Sequence, residues 1–191
     1  MAIRILFASI SSVLSILCFF PYLRDIFRGT TKPHSYTWFI WAVLQIIVAQ
    51  AMWNSGAGIA IASSVIGAVL CTIIFLLSLR YGTKRITLFD TVCFAGALGT
   101  MAAYLLFHDA LLSVIFAALT DFIGSLPTLR KAYKEPHTET ASTHLLSSAA
   151  GATALLALAT FSVTTMLYVS TTTILDFICG TLVTWRSQRV K

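Results

Sequence analysis

The chain has 191 residues, of which 58% are hydrophobic and only 10% charged, with a mean hydropathy of +0.87 and a formal net charge of +6. A soluble domain of this size carries about 25% charged residues to cover its exterior, so a water-soluble globular class is excluded and lipid is the natural solvent. The positive charge does not indicate nucleic acid, because the basic residues lie in four short clusters between apolar runs, as in membrane loops.

A transmembrane helix needs about 20 mostly apolar residues, and the first such run is 3–21. Arg4 before an apolar stretch has the look of a secretory signal, but Phe19-Phe20-Pro21 is no small-residue cleavage site, and a retained first span is expected. Further runs follow at 35–53, 57–79, 87–107 and 110–127. After the polar stretch 130–140 the chain is apolar over 141–185. At about 1.5 Å per residue that is roughly twice a bilayer, so it folds back near 160–162. Seven spans result, an all-α membrane protein.

Between the spans, the basic residues alternate. Arg24, Arg28 and Lys32 occupy the first connection, Arg80, Lys84 and Arg85 the third, and Arg130, Lys131 and Lys134 the fifth. Arg186, Arg189 and Lys191 lie in the tail, and only Arg4 falls on the opposite side. The positive-inside rule puts the N-terminus outside and the C-terminus in the cytoplasm of a multi-pass protein, with the plasma membrane expected.

An internal repeat appears at an offset of 106, the separation of Pro21 and Pro127. Pro21-Tyr22-Leu23-Arg24 matches Pro127-Thr128-Leu129-Arg130; Thr37 falls on Thr143, Arg80 on Arg186, and Asn54 on Thr160 at the expected fold-back. The pair Pro33-His34 and Pro136-His137 is off register by three. Two odd-numbered units share one orientation only if a lone span joins them, and 87–107 has no partner in the alignment. The expected organisation is a first three-helix repeat at 1–82, a linker helix at 83–108 and a second repeat at 109–191: two parallel three-helix bundles, 3+1+3.

This pattern resembles the SWEET, SemiSWEET and PQ-loop transporters, which carry a proline motif at the cytoplasmic end of the first helix of each bundle, where Pro21 and Pro127 stand here. The resemblance implies alternating access of a small polar solute across the bilayer, with those prolines as hinges. Two departures stand beside it. Tyr22 and Thr128 follow the prolines where the family has glutamine, and Leu70 and Asp176 occupy the places of its paired asparagines. Sugar as the substrate is thereby put in doubt, with amino acids and amines as alternatives.

Helical spacing gathers polar stripes: Ser12 and Ser15; Trp38, Trp41 and Gln45; Ser113, Asp121 and Gly124; Tyr168, Thr172 and Asp176. Small residues in such stripes also serve plain helix packing. The acids differ. By helical rise Asp121 lies roughly 9 Å and Asp176 roughly 14 Å from the cytoplasmic ends of their spans, with Gln45 at similar depth and no basic residue expected in any span. A carboxylate at such depth costs about 2.5–3.5 kcal/mol to insert, which marks a proton or cation site. The candidate solute- or proton-binding residues are Asp121, Asp176, Gln45, Ser15, Trp41 and Thr172. His144 is read as interfacial, and His34, His108 and His137 as loop residues.

Cys18, Cys71, Cys93 and Cys179 sit singly in apolar runs, which suggests neither zinc nor a disulfide framework. No cofactor or catalytic metal is indicated, and no enzyme activity is expected. An aspartyl hydrolase would need the two acids sharing a proton, and their flanks lack the glycine-rich context for it; a retinal receptor would need a lysine in a span. The alternative class is a non-transporting seven-helix receptor or assembly protein. Expected partners are membrane lipid and a small solute, with homo-oligomerisation open.

Overall fold

The computed structural model describes residues 2–54, 61–106 and 109–189. The expected start of the third span at 57–60, Phe107 at the end of the fourth, His108 and Lys191 lie outside that set. Among the described residues all regular structure is helical. The helices are α1 (Ala2–Leu17), α2 (Phe19–Phe27), α3 (Ser35–Asn54), α4 (Ile61–Tyr81), α5 (Leu88–Leu106), α6 (Ala110–Lys134), α7 (Ala141–Ala157) and α8 (Val163–Ser187), with a 3-10 turn at Pro136–Thr138. α1 and α2 form one rod, so there are seven rods. Among the described residues, four stretches are long and apolar enough to cross a membrane: Ala2–Phe27, Leu88–Leu106, Leu111–Lys134 and Val163–Ser187.

The distribution of side chains is inverted relative to a soluble protein. Ile3, Phe20, Leu76, Leu88, Val92, Ile174 and Phe177 are exposed, whereas Asp90, Asp121, Lys131, Glu139 and His144 are buried. In water such an exterior would aggregate; in hydrocarbon it is the favourable arrangement, and ionisable groups turn inward. This is an all-α membrane protein.

Two expected boundaries are corrected. The first span does not stop at residue 21: its helix is interrupted at Cys18 and runs on to Phe27. The fifth does not end at residue 127, since α6 continues through Pro127 to Lys134. Proline removes one backbone donor but leaves the rest of the ladder intact, and a buried neighbourhood around Pro127 holds the helix together. The fold-back falls where length placed it, between Ala157 and Val163. There Ser162 and Thr165 form a reciprocal capping box that opens α8. At the start of α6, Asp109 accepts from the Leu112 amide at 2.9 Å.

α4 packs on α3, and α8 on α7. α6 lies against α8 and α5, and α1 with α2 touches α4 more lightly. Contacts between early and late helices are α1 on α7 and α3 on α6. The second is a close approach: a Cβ at Gly124 would stand 2.8 Å from Ile40 Cγ2, and the Thr37 hydroxyl donates to the Gly124 carbonyl at 2.8 Å. Only glycine lets the two backbones come this near. That contact brings the first turns of α3 onto the middle of α6 and sets one wall of a cavity.

Candidate functional site: an intramembrane cavity

The cavity encloses about 220 Å³ between α3 and α4 on one side and α6, α7 and α8 on the other, with Cys18 at the α1–α2 break. α3 contributes Trp38, Trp41 and Gln45, one helical turn apart on one face. Trp38 and Trp41 meet edge to face at 5.0 Å. The Trp38 indole N–H is taken by the Tyr22 hydroxyl at 3.1 Å, whereas the Trp41 N–H donates to Asp121 Oδ1 at 2.8 Å. Gln45 leans on α4, where a Cβ at Gly67 would come within 3.3 Å of its Nε2.

Asp121 and Asp176 both line this cavity. Asp121, on α6, is 5% exposed, and among the described residues its carboxylate has Trp41 as a neutral donor and no ion pair. Asp176, on α8, accepts from Ser147 Oγ at 2.6 Å and lies 2.8 Å from His144 Nδ1. Here the expectation that no basic group would stand in a span is corrected. His144 is a 2%-exposed residue on α7, one turn before Ser147, and the two side chains clasp one carboxylate. The reading of His144 as interfacial failed because helix-edge position says nothing about which neighbour covers that edge.

Among the other sequence candidates, Gln45, Trp41 and Thr172 line the cavity, Thr172 with its hydroxyl already given to the Val169 carbonyl at 3.0 Å. Ser15 does not line it; its carbonyl accepts from Cys18 Sγ at 3.2 Å. Ser147 is a lining residue that sequence reasoning passes over, and Tyr168, already part of the polar stripe of its helix but not among the candidates, lines the cavity too. The i, i+3 spacing of His144 and Ser147 was the available signal for one of them.

From the cavity a chain of ionisable groups runs toward the basic end. His144 Nε2 has no hydrogen-bond partner and stands 3.6 Å from Glu139 Oε1. Glu139 Oε2 is 2.6 Å from Lys131 Nζ, both side chains being almost fully buried. Lys131 also donates to the carbonyls of Lys32 (2.7 Å) and Thr138 (2.8 Å). Burial alone would raise the Glu139 carboxyl; the Lys131 ammonium and His144 outweigh it and hold the group at about 2, against an ordinary 4.5. The same lysine ties together the loop after α2 and the turn after α6, which also share the Lys32 N–H to Thr138 carbonyl bond at 3.0 Å and a Thr31–Thr140 hydroxyl contact.

A second buried cluster fastens α5. Asp90 receives Arg130 in a two-pronged pair, Nε at 2.8 Å and Nη2 at 2.7 Å, and caps its own helix through Thr87. His34 Nε2 lies 3.6 Å from Asp90. His34 lies in the loop before α3, as expected, yet it is fully buried and neither ring nitrogen is hydrogen-bonded. Burial pushes its imidazole down to about 4 from an ordinary 6.5, with Asp90 opposing and Lys131 adding to the shift.

Among the described residues no group of three or more His, Cys, Asp and Glu is placed to hold a metal ion. Comparison with protein-family models, curated proteins and solved structures gave no match to this chain.

Proposed function

We propose that the chain is a SWEET- and PQ-loop-like transporter that moves a small polar solute by alternating access, coupled to a proton or to the solute's own positive charge. The observation that carries this reading is Asp121, a buried carboxylate with one neutral donor, facing a cavity at mid-helix depth. Leaving such a group unneutralised costs a few kcal/mol, and an arriving proton or amine removes that cost. The cavity of about 220 Å³ suits a solute of amino-acid or monosaccharide size.

The helix pairings support the 3+1+3 organisation. α4 lies between α3 and the α1–α2 rod, as α8 lies between α7 and α6; the cross-contacts α1 on α7 and α3 on α6 exchange under the offset of 106. α5, held by Asp90 and Arg130, takes the linker's place. Rocking of the two bundles about the cavity would expose it alternately to either side, with the basic end in the cytoplasm.

A proteoliposome screen of sugars, amino acids and polyamines, with and without an imposed pH gradient, tests the proposal. Uptake of at least one class, weakened in Asp121→Asn, is expected. Inertness to the whole panel under every gradient would favour a receptor or assembly role instead.

A further inference from the structure

We propose that His144 is a positioning residue that couples the charge state of Asp176 in the cavity to a lock at the basic end formed by Glu139 and Lys131; only its use in transport rests on the reading above. The imidazole stands between two carboxylates, bonded to Asp176 at 2.8 Å and short of Glu139 at 3.6 Å. A hydrogen bond needs about 2.7–3.2 Å, so Nε2 is an unpartnered buried atom aimed at a group just beyond its reach.

The charge balance gives the device its direction. With His144 protonated, the carboxylates of Asp176 and Glu139 are matched by the imidazolium and the Lys131 ammonium, and the chain is neutral. A proton or a cationic solute at Asp176 cancels one carboxylate. The imidazolium then loses its partner on the cavity side and closes on Glu139, where it competes with Lys131. Lys131 is the cation whose other two bonds reach the Lys32 and Thr138 carbonyls, so weakening its hold on Glu139 loosens the contact between the two loops that seal this end. Removing the cavity load reverses the sequence.

The surrounding groups do not short-circuit this path. Around the cavity, Asp176 is faced by Asp121 from α6, Cys18 at the α1–α2 break, Cys71 from α4 and Tyr168 on its own helix. Of the ionisable groups near it only His144 brings a positive charge. On the lock side, His144 and Glu139 are neighboured by Tyr22 from α2 and Cys179 from α8, neither of which is a cation that could take the place of Lys131 on Glu139.

Thr128 provides a reporter. It is 2% exposed, its hydroxyl has no partner, and it shares a small pocket with His144 and Asp176, one helical turn before Lys131 on α6. The full chain carrying Thr128→Cys, in proteoliposomes of each orientation, is exposed to a membrane-impermeant maleimide at the basic end, and labelling of the chain without that cysteine is subtracted. Labelling is expected to be slow in the reporter chain. Adding Asp176→Asn should speed it about fivefold to a hundredfold, the usual span of coupling between linked sites, and Glu139→Gln should do so without help from the cavity. Adding His144→Gln to Asp176→Asn should return labelling to the slow rate; His144→Asn, which keeps the cavity-side bond but is too short for Glu139, gives the same result if the glutamine variant does not fold. Three outcomes overturn the proposal: Asp176→Asn labels no faster than its parent, its effect survives both His144 variants, or His144→Gln alone labels as fast as Glu139→Gln. Since no solute or flux enters the measurement, a failed transport screen leaves its answer intact.

Discussion

The two walls of the cavity carry different chemistry. At the sequence offset of 106, Trp38 answers to His144 and Trp41 to Ser147 among the lining residues, whereas Asp121 and Asp176 answer to Ser15 and Leu70, which do not line the cavity. The wall from α3 and α4 is neutral and aromatic, and it supplies shape and one N–H donor. The wall from α6, α7 and α8 holds both carboxylates and the histidine, and a buried ion pair lies beneath it. The site is thus asymmetric, with the charge on one wall and a neutral aromatic surface on the other.

The strongest way to break that comparison is to damage the charged half. Lys131→Met leaves Glu139 buried and unpaired, which should cost about 3–5 kcal/mol of stability, read by thermal unfolding in detergent. Adding Glu139→Leu should recover most of it, because removing both charges avoids the desolvation penalty. Next in size is Asp121→Asn. A hydrogen bond to a charged group is worth about 1.5–3 kcal/mol, so the half-saturating concentration of a cationic solute should rise about tenfold to a hundredfold. Trp41→Phe keeps the ring and removes only the N–H, and its effect on the same measurement should be severalfold smaller. If Trp41→Phe proved as damaging as Asp121→Asn, the division of labour between the walls would be wrong.

The pH dependence of unfolding sharpens the comparison further. His34 is held neutral by burial, so the stability it contributes is present above 6.5 and is lost as pH falls toward about 4. Glu139 is held ionised, so its contribution is present above 4.5 and is lost only as pH falls toward about 2. Two acid limbs are expected in a stability–pH curve, and His34→Gln should remove the upper one alone. Smallest is the contrast between prolines. Pro21 sits in the first turn of α2, just after the interruption at Cys18, where proline is tolerated, so Pro21→Ala should change little. Pro127 lies inside α6 and denies the Ile123 carbonyl its partner. Pro127→Ala should stiffen the helix and slow flux without loss of folded protein; equal, undiminished flux from both variants would remove any hinge from the account.

Much of the scaffold was legible because it follows from length and polarity. The fold-back before Val163 was fixed by the reach of a helix against bilayer thickness, and Asp121 and Asp176 stood out because acids in apolar runs are costly. The partners of those acids were not legible. Trp41 and Asp121 are 80 residues apart, Asp90 and Arg130 are 40 apart, and His144 and Asp176 are 32 apart. Such pairs exist only after helices have chosen faces, and periodicity names a face without naming what covers it. Lys131 misled for a related reason: the charge that marks it as a loop residue is the one the structure buries beside Glu139.

The α1–α2 rod is the most apolar of the four span-length stretches, and its chief neighbour is α7, to which Ser11 donates at the Ala150 carbonyl 139 residues downstream. At roughly 5–20 residues per second, synthesis delivers that partner on the order of ten seconds after the first helix leaves the ribosome. Until then α1 has a light contact with α4 and otherwise lipid to lean on. A helix with Ile3, Leu6, Val13 and Leu17 on its outside tolerates that wait, since lipid tails solvate leucine as well as another helix does. Assembly therefore has a late closing step, in which α1 is recruited by a helix made well after it, and the cavity is not closed until α7 and α8 are in place.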